Sequence, residues 1–235
     1  HILQRLNKAG GKEVESGKLL SPQSSAALVI DAFGPFIETP QTLPQLPHMN
    51  DLDWPARFVD IEYSARFPWS GGRHPWLDAV VQTPKHLIGI ESKRFEPFRG
   101  NKKASFSDAY WRRVWGKNMI PYEKLRDDLH NGKLNYKHLD AVQLVKHAFG
   151  LRTDGIVRGN GKPILAYVFV DTCHSSPVRI TEEKIQRHRQ EVSDFAKRAA
   201  GSEVRFVAFS YSEWLATFPK ELKLHAELVA QKYNV

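Results

Sequence analysis

Asp78, Glu91 and Lys93 have the types and the spacing to do chemistry on a phosphate. They lie on two short apolar arms, His74–Val81 and His86–Lys93, separated by a turn around Pro84-Lys85. Arms of this length, rich in Val, Ile and Leu and punctuated by Pro, predict a β-hairpin. With the turn centred between residues 84 and 85, paired positions sum to 169, which sets Asp78 opposite Glu91. On one face their Cβ atoms would stand roughly 5 Å apart, and Lys93 shares the face of Glu91 because side chains alternate along a strand. Two carboxylates that close repel by roughly 3 kcal/mol at an effective dielectric constant of about 20. A divalent cation turns that repulsion into attraction, and Mg²⁺ takes one or two carboxylates together with substrate phosphate. Lys93 then stands where it could orient an attacking water or offset charge developing on a phosphoryl group. The plainer alternative is a surface hairpin carrying three solvated charges.

Asp78, twelve intervening residues and Glu91-Ser92-Lys93 together resemble the D…(D/E)-x-K signature of the PD-(D/E)xK nuclease superfamily. The Pro that usually precedes the first acid is missing, since Leu77 stands there and Pro75 lies three back. The surrounding residues are similar to a bacterial restriction-endonuclease-like subgroup: Gly71-Gly72-Arg73 leads into the Asp strand. Glu91-Ser92-Lys93-Arg94-Phe95-Glu96 then precedes the aromatic Tyr110-Trp111-Arg112. The likeness spans about residues 15 to 170. It implies an α/β fold with a restriction-endonuclease-like αβββαβ core, a central mixed sheet flanked by helices. It also implies a Mg²⁺-dependent nuclease hydrolysing phosphodiester bonds in DNA, with Mn²⁺ able to substitute. Asp78 and Glu91 would hold the metal with a backbone carbonyl near Ser92, and Lys93 would assist catalysis. An additional acid near the first helix is expected in such enzymes; Glu15 is the first choice, with Glu13 and Glu62 behind it. Gln143, on a downstream helix with Asp140 and His147 at compatible spacing, is a candidate contact to substrate or water, and Arg73 a candidate phosphate contact.

The charge distribution points to the same kind of partner. Net charge is +8 with a pI near 9.5, which suits a polyanion. Between Phe98 and Asn118, Arg99, Lys102, Lys103, Arg112, Arg113 and Lys117 face a single acid, Asp108. Phe106, Tyr110, Trp111 and Trp115 interleave with them. Cations of this kind neutralise phosphates, and the tryptophans are expected to pack on the core from a basic surface helix.

The elements that must position these groups follow from periodicity and punctuation. Pro22–Phe33 reads as a helix capped by Ser21 and stopped at Gly34-Pro35, and a Pro-rich connector runs on to Pro55. Phe58–Phe67 alternates as a half-buried strand, with Val59, Ile61, Tyr63 and Ala65 on one side. Leu134–Phe149 reads as an amphipathic helix ending at Gly150. The run Gly155–Gly161 lacks a phosphate-loop ending and reads as a hairpin turn. Pro163–Val170 follows as an apolar strand. Thr181–Ala200, Val204–Tyr211 and Lys220–Lys232 supply a C-terminal α-β-α extension. The order is α-βββ-α-β-α-β-α within a single domain over residues 1–235, with its core at about 12–170 and the extension at about 171–235.

Other chemistries fall away. No apolar run approaches the roughly 20 residues of a membrane span. The single cysteine, Cys173, permits no internal disulfide or Cys-rich zinc site, and a reducing cytoplasm is the expected address. His1-Ile2-Leu3-Gln4-Arg5 carries no secretory apolar region. Cys173-His174 reads as incidental, and no Gly-x-Ser-x-Gly elbow occurs. A homodimer is compatible with the reading. The competing reading is a non-catalytic nucleic-acid-binding module on a nuclease fold, and an RNA-directed nuclease is a third.

Overall fold

The computed structural model describes residues 24–99, 105–171 and 180–235. Five strands form one sheet in chain order: β1 (Phe58–Ser64), β2 (Trp76–Gln82), β3 (His86–Lys93), β4 (Lys162–Phe169) and β5 (Arg205–Ser210). β1–β2 and β2–β3 pair antiparallel, while β3, β4 and β5 are parallel. Connection length explains the split, because a tight turn can only reverse a strand and parallel neighbours need a crossover. The crossover from β3 to β4 carries α2 (Ile120–His130) and α3 (Ala141–Arg152), and that from β4 to β5 carries α4 (Glu182–Ala199). Before β1 lies α1 (Ser25–Phe33), and after β5 come α5 (Tyr211–Leu215) and α6 (Lys223–Tyr233).

Two cores hold the helices to the sheet. On one face Leu28, Phe33, Trp214 and Val229 pack on Val59, Ile61, Ala79, Val81, Ile88 and Ile90. On the other, Tyr122, Leu144, Phe149 and Phe195 pack on Val80, Leu87, Leu165 and Tyr167. The result is an α/β fold of a mixed sheet flanked by helices, as expected from the sequence. β5 belongs to this sheet and pairs with β4, so the C-terminal extension widens the core sheet instead of adding a layer.

The hairpin that carries the candidate residues matches its expected register from Ala79 to Leu87. Ala79 pairs with Ile90, Val80 with Gly89, Val81 with Ile88 and Gln82 with Leu87. Thr83 donates its N–H to the His86 carbonyl at 3.0 Å, closing the turn around Pro84-Lys85.

Elsewhere the expectations shift. The N-cap of α1 is Ser24, whose Oγ accepts the Ala27 N–H at 3.1 Å; Ser21 and Pro22 lie outside the described residues. Gly34-Pro35 does not stop the chain's winding but tightens it into a 3₁₀ turn over Gly34–Phe36. α3 begins at Ala141, not Leu134, because Asp140 caps it by accepting the Gln143 N–H. Gly150 lies inside α3, where a Cβ would come within 2.6 Å of the Ala65 carbonyl; it permits close packing and is no terminator. The helix runs into a π-turn at Thr153–Val157, so the Gly155–Gly161 run is not a simple hairpin turn. Two helices, α2 and α5, were not expected. From Ser105 on, the basic stretch forms short 3₁₀ turns at Asp108–Trp111 and Lys117–Met119 in place of the expected helix. Its tryptophans do serve the core. Trp115 is fully buried and stacks on Phe149 with centroids 4.3 Å apart.

Candidate active site

The C-terminal ends of β1, β3, β4 and β5 and the start of β2 meet at one edge of the sheet. Glu91 and Lys93 lie at the end of β3, and Asp78 lies near the start of β2. The register sum of 169 continues past Ala79 and Ile90 to put Asp78 opposite Glu91, but ladder pairing between the strands ends there. The Asp78 carboxylate fills the opening. Its Oδ2 accepts the Ser92 N–H at 2.6 Å, replacing the lost ladder bond.

Glu91 is 1% exposed and points toward α3, where two positive or donating groups meet it. Lys93 Nζ is in direct contact with Oε1, and His147 Nδ1 lies 3.1 Å from Oε2. Neither contact has hydrogen-bond geometry, so both buried oxygens of Glu91 lack a directed partner. Burial pushes the Glu91 carboxyl up, but Lys93 and then His147 outweigh it and hold it down at about 2. Asp78 goes the other way: burial, reinforced by the Glu91 charge, lifts it well above the ordinary carboxylate range. Lys93 is raised, because Glu91 and then Asp78 outweigh its own desolvation. Opposed titration of neighbouring acids is what like charges in a shared low-dielectric site produce. Asp78 and Lys93 keep partial solvent exposure, while Glu91 is sealed.

A regular β2 would set Asp78 squarely on the α3 face beside Glu91. It does not, because the alternation changes sides at this point. Ala79 and Val81 belong to the α1-side core, whereas Leu77 belongs to the α3-side core. β1 switches at the matching place: Val59 and Ile61 face α1, but Ala65 lies in the α3-side core and Tyr63 packs against it. Glu62 sits at the switch with φ of 54°, in the left-handed region, a conformation that costs of order 1–3 kcal/mol in a non-glycine residue. Glu62 and Asp78 together border a narrow gap beneath Ala26, Val29 and Ile30 of α1. The Glu62 charge adds to the upward push on Asp78.

The other expected site residues are spread unequally. Ser92 is at the centre: its N–H holds Asp78, and its Oγ lies 2.7 Å from the Tyr211 hydroxyl. In a strand the N–H and C=O of one residue point to the same neighbour, so the Ser92 carbonyl also points toward the Asp78 side. Gln143 is one turn before His147, on the same side of α3, and half-buried. Arg73 lines an open cleft at the β1–β2 loop. Arg99 is exposed just beyond β3, and Arg112 is exposed with its guanidinium 4.4 Å from the centre of the Trp69 ring. Arg113 is exposed beside it. Glu15, Lys102 and Lys103 lie outside the described residues, as does the Cys173-His174 pair.

Sequence reasoning underrated His147 and Glu62. His147 looked like part of a solvated helix face, but α3 is covered by the sheet and by α2, and His147 is 2% exposed. Among the described residues no three His, Cys, Asp or Glu side chains converge closely enough to hold a metal ion by themselves. A set of two carboxylates and one carbonyl remains. Its hard oxygens fit a cation of the Mg²⁺ class, which would share Glu91 with its Lys93 and His147 contacts.

No helix among the described residues is long and apolar enough to cross a membrane. Comparison with curated proteins and with solved structures returned no match. The family described as "Restriction Endonuclease associating with ARP" matches residues 4–234, nearly the whole of a chain whose mixed sheet gathers two acids and a lysine at one edge, and the chain belongs to that restriction-endonuclease family.

Proposed function

We propose that this protein is a metal-dependent nuclease of the PD-(D/E)xK type that hydrolyses phosphodiester bonds in DNA. The observation that carries the reading is the cluster at the end of the β2–β3 hairpin, where the Asp78 carboxylate accepts the Ser92 N–H and Lys93 contacts Glu91. Family membership supports a nuclease role and a nucleic-acid substrate.

Asp78, Glu91 and the Ser92 carbonyl would hold Mg²⁺, or Mn²⁺ in its place. When bound, the ion supplies Lewis-acid polarisation of a phosphoryl oxygen and a charge that keeps Asp78 ionised. Lys93 stays protonated because Glu91 and Asp78 hold it so. It offers an N–H donor to the attacking water or to the phosphoryl oxygen on which charge grows. His147 helps Lys93 keep Glu91 ionised. Ser92 performs two tasks, since its amide pins Asp78 while its carbonyl faces the same opening. Glu15, Gln143 and the cations Arg73, Arg99, Lys102, Lys103, Arg112 and Arg113 complete the proposed set of auxiliary and DNA-contacting groups.

Incubation of the protein with linear, circular and single-stranded DNA and Mg²⁺ or Mn²⁺ tests the reading. Wild-type protein should cut, and Asp78→Ala should not, while both bind DNA. Cutting that survives in Asp78→Ala refutes the assignment.

A further inference from the structure

The eleven-residue loop between β1 and β2, residues 65–75, shapes an open cleft of about 640 Å³ at the site's own edge of the sheet. Ser64, Arg66, Gly72, Arg73, His74 and Trp76 line it. Arg66 and Arg73 are exposed, and among the described residues no hydrogen bond or ion pair engages either guanidinium. Nearby Arg158 shows what a structural arginine looks like here: it is tied to Asp154 and to the carbonyls of Arg66 and Phe67. The two cleft arginines are left for something outside the chain.

His74 fastens the loop from within. Its Nδ1 accepts the Phe67 N–H at 3.1 Å, which places the ring proton on Nε2, and that nitrogen has no partner. Burial first, then the charges of Arg66 and Arg158, keep the ring below its ordinary pKa.

Trp76 supplies a flat surface. The first residue of β2, it remains 37% exposed. Leu77 points into the α3-side core, so Trp76 and Asp78 flank it on the opposite side, separated by about 6.6 Å at ~3.3 Å per residue. Whatever stacks on Trp76 is therefore on the Asp78 side of the strand.

We infer that this cleft binds an unpaired nucleotide of the substrate strand, its base stacked on Trp76 and its phosphate held by Arg66 and Arg73. An indole face can stack only on a base whose own face is free, which a fully paired duplex does not offer. The inference rests on the nuclease reading for its purpose, but the binding it describes needs neither metal nor cleavage. It makes the protein selective for single-stranded or locally unpaired DNA beside the cut.

Binding in EDTA separates the two ideas. Fluorescence anisotropy is measured with a labelled single-stranded oligodeoxynucleotide and with the same strand annealed to its complement, and Trp emission is followed in parallel. Trp76→Ala should weaken single-strand binding by about tenfold and change duplex binding less than about twofold, while Trp76→Phe, which keeps an aromatic face, retains most of the affinity. Arg73→Ala should weaken both strands, with a shallower salt dependence. Trp76→Ala weakening both probes equally, or weakening neither, overturns the inference. Absence of cleavage by the wild type, with this selectivity intact, would count against the nuclease reading alone.

Discussion

Two buried glutamates on the same side of the sheet make opposite use of their charge. Glu191 of α4 is 8% exposed and accepts backbone N–H bonds from Lys137, His138 and Leu139 at 2.8, 2.7 and 3.0 Å. Arg187 adds a further bond at 3.2 Å. Its lone pairs are filled by directed donors, and the effect is to pin the turn that leads into α3. Glu91 is buried more deeply, yet it is met by charges that lack hydrogen-bond geometry. A carboxylate that only holds a fold together is saturated, as Glu191 is. One that is sealed, ionised and undersatisfied is poised for a ligand.

The contrast can be broken in stages. Glu91→Gln should lower DNA cleavage by at least about 100-fold while far-ultraviolet circular dichroism stays native. Glu191→Ala should do the reverse: it strands three amide donors and should lower unfolding free energy by about 3–5 kcal/mol, read by urea titration. Cleavage per folded molecule should hardly change. Equal effects of the two substitutions on activity would erase the distinction.

The Glu191 neighbourhood also has a pH signature. His188, fully buried on the same helix with Nε2 2.9 Å from the Tyr167 hydroxyl, is lowered to about 4, first by desolvation. The unfolded chain binds that proton near pH 6.5. Stability from neutral His188 is thus complete above about pH 6.5 and drains away as pH falls through about 4, by about 3 kcal/mol in all. Thermal melts across this range should show the slope, and His188→Asn should flatten it.

A smaller effect sharpens the active-site side. His147→Ala removes one of the two groups that keep Glu91 ionised and should lower cleavage about 10- to 100-fold. His147→Gln, which retains a donor, should recover part of it. If His147→Ala leaves cleavage unchanged, the imidazole is packing alone.

Much of this arrangement is legible in the sequence, for specific reasons. Pro84 and Lys85 allow only a short reversal, so the register of β2 and β3 follows from counting as far as Ala79 and Ile90, but the expected shared face for Asp78 and Glu91 does not. The change of face at Glu62 and Asp78 is not legible, because an alternating pattern says nothing about a non-glycine residue held at positive φ. His147 was hidden by its helix: Leu144, Val145, Ala148 and Phe149 suggest one apolar side, but α3 is buried nearly all round. The basic stretch misled in its backbone yet not in its aromatics, since Trp115 does enter the core.

Calorimetric titration of the wild type and of Asp78→Asn, Glu91→Gln and Glu191→Gln with Mn²⁺ tests the central claim most directly. Uptake of the ion by the wild type and by Glu191→Gln, lost in Asp78→Asn and in Glu91→Gln, is the predicted result. The same uptake in all four proteins, or none in the wild type, would contradict a shared grip by Asp78 and Glu91.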